Sequence, residues 1–214
     1  MLSPEWGFSS TGMMKRILAA AFALVLAGPA LALSDFQQAD LKRITDYWNS
    51  IQTVEGTFSQ VDSGGGSATG DFYIKKPGRF RFDYKPPEQL TVIADGYTVA
   101  VEDRRLETQD RYPLVETPLS MLVDQNINLN RPDLQILDVA RKDGAVVVHM
   151  KSLKEDAQGE ILIAFNQDDL ALRYWVVRDP QGTQVTVRVA DVKLQGDISA
   201  SKFYIKAQDE DDGR

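Results

Sequence analysis

The sequence predicts a mainly β domain: an antiparallel meander curling toward a barrel, with one helix ahead of the strands and one short helix inserted midway. Three observations predict it. Apolar and polar residues alternate with period two along most of the chain beyond residue 53, most legibly in Phe80-Arg81-Phe82-Asp83-Tyr84, the pattern of a strand with one face buried and the other in water. Turn-forming residues recur at intervals of about ten residues, the spacing of consecutive hairpins. Only one stretch, residues 35–51, carries a sustained helical period, with Phe36, Leu41, Ile44, Tyr47, Trp48 and Ile51 three or four residues apart. The chain has 214 residues, 43% of them hydrophobic, enough for one domain with a sizeable core.

In chain order, Met13-Met14-Lys15-Arg16, the apolar run from Ile17 to Leu26 and the small residues Ala30-Leu31-Ala32 read as a secretory signal peptide. The run is shorter than the roughly 20 apolar residues a membrane span needs. Cleavage near Leu33 is expected, with translation starting at Met13 or Met14. Residues 1–32 are thus assigned to an N-terminal extension and signal peptide, 33–207 to the folded domain, and 208–214 to a disordered acidic tail carrying Asp209-Glu210-Asp211-Asp212.

After the helix, strands are expected at residues 53–61, 69–75, 80–84, 90–94 and 97–102, with a short one around Leu106. Gly64-Gly65-Gly66 and Asp95-Gly96 supply turns. Thr117-Pro118-Leu119-Ser120-Met121-Leu122 places a cap residue and a proline before apolar residues, which announces the inserted helix. Strands resume at residues 135–140, 145–151, 160–166, 171–178 and 183–192.

Reactive groups are scarce. There is no cysteine, which removes disulfides, thiol catalysis, zinc-thiolate sites and lipid attachment through a lipobox cysteine. The single histidine, His149, alternates with Val148 and Met150 and is expected to face solvent without the oriented partners catalysis needs. Asp168-Asp169 lacks the alternating ligands of a calcium loop, and Gly64-Gly65-Gly66 lacks the lysine and helix of a phosphate cradle. An enzyme is therefore not expected, nor a cofactor or metal. The net charge of −7 disfavours nucleic acid as a partner.

What remains is an apolar surface. Phe80, Phe82 and Tyr84 share a face with Phe72 and Ile74 on the preceding strand and with Leu90 and Val92 on the next. Pattern alone describes either an ordinary core or a ligand cavity.

The segment from Gly70 to Tyr84, with Lys75-Lys76-Pro77-Gly78-Arg79 between alternating aromatics, resembles the strand-turn-strand signature of the outer-membrane lipoprotein carrier (LolA) family. Val54-Glu55-Gly56-Thr57-Phe58-Ser59-Gln60 is similar to the family's first strand, Ala94-Asp95-Gly96 to its mid-chain hairpin, and residues 117–122 to its lid helix. Ser201-Lys202-Phe203-Tyr204 resembles its closing strand. The resemblance implies an unclosed antiparallel half-barrel of about eleven strands, with helices covering a hydrophobic cavity for lipoprotein acyl chains. Phe58, Phe72, Ile74, Phe80, Phe82, Tyr84, Leu90 and Val92 would line that cavity, and Leu119, Met121 and Leu122 would form the lid. It also implies a periplasmic shuttle between an ATP-driven inner-membrane release complex and an outer-membrane lipoprotein receptor, and a shuttle that docks with two different partners is expected to be a monomer. At the family's lid-tethering arginine this chain has Lys76, a flexible point charge in place of a planar fork. Arg79 could substitute as latch, and Lys75 and Lys76 could equally be turn solubilisers. A binder of another lipid or glycolipid is the alternative function.

Overall fold

The computed structural model describes residues 33–117, 119–129, 131–154 and 159–207, so the expected signal peptide and acidic tail lie outside the described residues. Helix α1 (Asp35–Ser50) starts where Ser34 and Gln37 form a reciprocal capping box, the Ser34 hydroxyl accepting the Gln37 N–H at 3.3 Å and Gln37 Oε1 accepting the Ser34 N–H at 3.0 Å. Its buried face carries Leu41, Ile44 and Trp48 at helical spacing. Asp40 is buried among them, and Arg141 of the edge strand donates to both its carboxylate oxygens at 2.7 Å. That charge-assisted fork holds the Asp40 carboxyl below its ordinary range. The Arg141 guanidinium also lies 3.8 Å over the Phe36 ring, so α1 is pinned across the sheet edge.

The strands are β1 (Thr53–Asp62), β2 (Ser67–Lys75), β3 (Arg79–Tyr84), β4 (Leu90–Asp95), β5 (Thr98–Asp103), β6 (Thr108–Pro113), β7 (Leu134–Lys142), β8 (Ala145–Ser152), β9 (Gly159–Asn166), β10 (Leu172–Arg178) and β11 (Gln184–Leu194). A 3-10 turn (Leu114–Glu116) and the short helix α2 (Ser120–Val123) separate β6 from β7. The strands form one 11-stranded sheet in the order β6-β5-β4-β3-β2-β1-β11-β10-β9-β8-β7. Every pairing is antiparallel, and β1 against β11 joins the two halves. The sheet is not closed, because β6 and β7 are its two edges.

The sheet is strongly curled. Strands β3 and β10 stand four positions apart, which is about 19 Å in a flat sheet. Yet the Phe82 ring of β3 and the Trp175 ring of β10 are 6.0 Å apart, edge to face. Only a sheet folded around its inner face brings them together.

Expectation and structure differ at three elements. Leu106 is not in a strand: Asp103 Oδ1 accepts from the amides of Arg105 at 2.9 Å and Leu106 at 3.1 Å, which holds a turn there, and the edge strand begins at Thr108. The inserted helix is shorter and later than its cap suggests. The Thr117 hydroxyl bonds back to the Leu114 carbonyl at 2.8 Å, finishing the 3-10 turn and leaving α2 to start at Ser120. The expected closing strand around Ser201 is a 3-10 turn (Ala200–Phe203), because the Ser199 hydroxyl caps it by accepting the Ser201 N–H. That turn packs on the outer face of β3 and β4 and buries Phe203. The outer face there is consequently covered as well, and Thr91 and Ile93 are as buried as their inward neighbours.

Candidate functional site

The inner face is built by cross-strand pairs. Register sets Phe72 opposite Phe82 and Ile74 opposite Phe80 between β2 and β3, and Val92 and Ala94 opposite Phe82 and Phe80 between β3 and β4. Phe58 of β1 lies opposite Gly70, whose missing side chain leaves room for the ring. The rings meet edge to face or stacked, Phe58 with Phe82 at 5.4 Å, Phe72 with Phe82 at 6.1 Å and Phe80 with Phe82 at 5.6 Å. Phe58, Phe72, Ile74, Phe80 and Phe82 are all buried. Tyr84, Leu90 and Val92 are only partly buried, and the Tyr84 hydroxyl donates to Gln60 Oε1 at 2.7 Å.

The opposite wall comes from strands whose role alternation does not reveal. A bulge between Leu172 and Tyr174 shifts β10 against β9, so Leu172 and Trp175, three residues apart, both face inward. Phe165, Ile163, Met150 and Val148 continue the wall on β9 and β8, and Ile44 and Trp48 close it from α1.

Helix α2 plugs the space between these walls. Leu122 and Val123 are buried, while Leu119 and Met121 are partly buried against the same cluster. Two small apolar gaps remain, one on each side of Leu122. The first, about 20 Å³, is lined by Ile44, Trp48, Met121, Leu122, Met150 and Phe165 among others. The second, about 10 Å³, lies between Ile74, Phe80, Phe82, Leu119, Leu122 and Trp175. Each is the size of one water, far too small for an acyl chain. The accessible hollow expected from the sequence is thus filled here by the side chains of α2.

Two backbone carbonyls anchor α2. The Leu122 carbonyl accepts from the Trp48 indole N–H at 2.8 Å, and the Val123 carbonyl from the Gly78 amide at 2.7 Å. Gly78 has φ +71°, and a Cβ there would come within 2.8 Å of Gly96, so only glycine lets the β2–β3 turn present its amide to the lid. Neither Lys76 nor Arg79 supplies these bonds. Lys76 is buried, donates to the Trp48 carbonyl at the end of α1, and sits 5.1 Å over the Trp48 ring. Burial pulls its ammonium down to about 8, with Asp124 acting the other way. Helix α1 has no basic residue in its last turn, and Lys76 brings a cation to that negative end. Arg79 stands at the start of β3 opposite Lys75 and Asp95.

Residues beyond α2 hold the far side of the lid. Asn49 of α1 accepts from the Ile127 amide at 2.7 Å and donates to its carbonyl at 3.1 Å. Arg131 bridges Asp124, at 3.2 Å, to Asp133 at the start of β7, and its fork holds the Asp133 carboxyl at about 2. The Asn49 bonds, like those of Trp48 and Gly78, join residues far apart in sequence and leave no local pattern, whereas Arg131 pairs within seven positions along the chain. His149 faces outward, 2.9 Å from Glu160.

An unclosed antiparallel sheet wrapped on an apolar interior, with a four-residue helix as its stopper, defines a carrier or binding scaffold for apolar groups. The chain belongs to the outer membrane lipoprotein carrier protein LolA family, whose model matches residues 49–206. Outer-membrane lipoprotein carrier proteins similar to it include one from Halorhodospira halophila, 35% identical over 39% of this chain and 43% of that one. Others come from Leptothrix cholodnii, 30% identical over 63% and 67% of the two chains, and Azotobacter vinelandii, 26% identical over 86% and 92%. Among solved structures, the chain aligns with a LolA superfamily protein from Nitrosomonas europaea at 12% identity and TM-score 0.43, covering 77% of this chain and 97% of that one. The family and these relatives carry the name of outer-membrane lipoprotein carriers, and a LolA-like carrier role is what that membership supports.

Proposed function

We propose that this protein takes the acyl chains of lipoproteins into the interior beneath α2 and ferries them through the periplasm, from an ATP-driven release complex in the inner membrane to a receptor lipoprotein in the outer membrane. The observation that carries the reading is the stopper itself. One short helix fills an otherwise continuous apolar interior and is tied by two carbonyls. Magnitudes fit a removable plug. Releasing two hydrogen bonds costs about 2 kcal/mol, and exposing Leu122 and Val123 adds about 2 kcal/mol each, roughly 6 kcal/mol together. An acyl chain of about sixteen carbons loses on the order of 10 kcal/mol when exposed to water. The empty protein therefore stays shut, and an acyl chain can displace the plug. The margin is narrow, which suits cargo that must be handed on.

The test uses Leu119→Glu, on the partly buried lid, because Phe80 is 1% exposed and a carboxylate there would disrupt the core itself. Folded Leu119→Glu protein is expected to lose pickup of lipoproteins from inner-membrane vesicles, and normal pickup would remove the lid from the site. Depleting the protein in its host should strand lipoproteins at the inner membrane. Normal sorting, with free lipid recovered in mild detergent, would point to a carrier of another lipid.

A further inference from the structure

We propose that Trp48 is the side chain that holds the lid shut, and that Lys76 acts on the lid chiefly by way of Trp48; this rests on α2 being the lid over the cargo interior. Trp48 is 2% exposed at the end of α1, with its ring edge-to-face on Phe165 at 5.9 Å. A buried indole needs an acceptor for its single N–H. A helix of four residues, in turn, has no internal partners for its last carbonyls. The bond from Trp48 Nε1 to the Leu122 carbonyl meets both needs at once. When the lid leaves, the indole N–H is stranded in an apolar wall beside Ile44, Met150 and Phe165, so the bond resists opening more than an exposed one would.

Lys76 has a different place. Its ammonium donates to the Trp48 carbonyl and faces the Trp48 ring, fixing the backbone and the ring plane of the residue that carries the donor. Lys76 is thus a positioning residue, one step removed from α2. The second anchor, the Gly78 amide, is two residues on in the same turn. The lid is gripped between α1 and the β2–β3 turn, and Lys76 ties those two jaws together.

The chain has no cysteine, so Val123→Cys in the full chain introduces a unique thiol on the buried face of the lid itself, at a site 2% exposed. Its alkylation rate reports opening without any cargo. Trp48→Phe is expected to raise that rate about three- to tenfold, the worth of one hydrogen bond, and to leave unchanged the rate at a thiol introduced by Val146→Cys, in the core on β8. Site-specific replacement of Trp48 by benzothienylalanine, which keeps the ring shape and removes only the N–H, should do the same. Lys76→Met should accelerate alkylation when Trp48 is present and accelerate it less in the Trp48→Phe background, the non-additive result of residues acting largely in series. An unchanged lid rate in both Trp48 variants, additive effects of Trp48→Phe and Lys76→Met, or equal acceleration at positions 123 and 146 would each overturn the proposal. Failure of a diacylated peptide to bind even the freed lid would instead refute the cargo reading and leave the latch standing.

Discussion

At Gly70 the chain leaves out a side chain inside a strand, and the reason lies across the sheet. A methyl group there would collide with the Phe58 ring and the Asp83 carbonyl, so Gly70→Ala forces Phe58 out of the aromatic cluster. We expect a loss of about 2 kcal/mol, read as a lower urea midpoint with unchanged slope. Lys76 gives a pH-dependent prediction. Its folded-state value of about 8 lies below the ordinary 10.5, so between those values the unfolded chain binds more protons than the folded one. Stability must then rise with pH across that window. Plotted as the difference from Lys76→Met, which cancels other titrations, the stability of the parent protein should climb between pH 8 and 10.5. A flat difference would mean that Lys76 titrates normally.

Among the elements, the two helices are held by opposite means. Helix α1 is fastened by side chains, through the Asp40–Arg141 fork and the bonds from Gln37 to Asp138 at 3.1 Å and to the Val139 carbonyl at 3.0 Å. Helix α2 is fastened at its anchoring carbonyls by donors from its neighbours. On the proposed function, that contrast assigns α2 as the moving part and α1 as the fixed jaw. Asp40→Asn should therefore speed amide hydrogen exchange along α1 first, and only then at the lid, because Trp48 rides on α1. Exchange of the lid amides rising ahead of α1 would contradict this order. Helix α1 was legible in its period, which is local, while its Ser34–Gln37 capping box was seen only in the structure. The lid was legible only as an interruption, because four residues carry too little period to fix boundaries, and the Thr117 hydroxyl, which ends the preceding 3-10 turn, is not free to cap the helix.

Over the whole molecule, the curled sheet is closed inside by α2 and backed outside by the C-terminal segment. Lys75, Arg81 and Arg111 each donate to a carbonyl of that segment, at Ile198, Lys202 and Lys206 respectively, 2.6 to 3.1 Å away. Phe203 sits beneath, 2% exposed. Phe203→Ala should cost about 3 kcal/mol in urea unfolding while leaving lipoprotein pickup by the folded fraction intact, since the inner and outer clusters lie on opposite faces. The sequence by itself determined most of the strands and that Phe72, Phe80 and Phe82 share one inward face, because alternation and turn chemistry act over a few neighbouring residues; that β1 pairs with β11 and leaves β6 and β7 as edges came from the fold. It also carried the family resemblance. Only the tertiary structure decided that the interior is plugged, that a bulge turns both Leu172 and Trp175 into it, and that Trp48 and Gly78 hold the plug. Those facts depend on how far the sheet curls and on contacts between residues some 45 to 75 positions apart, and no local pattern encodes a long-range hydrogen bond.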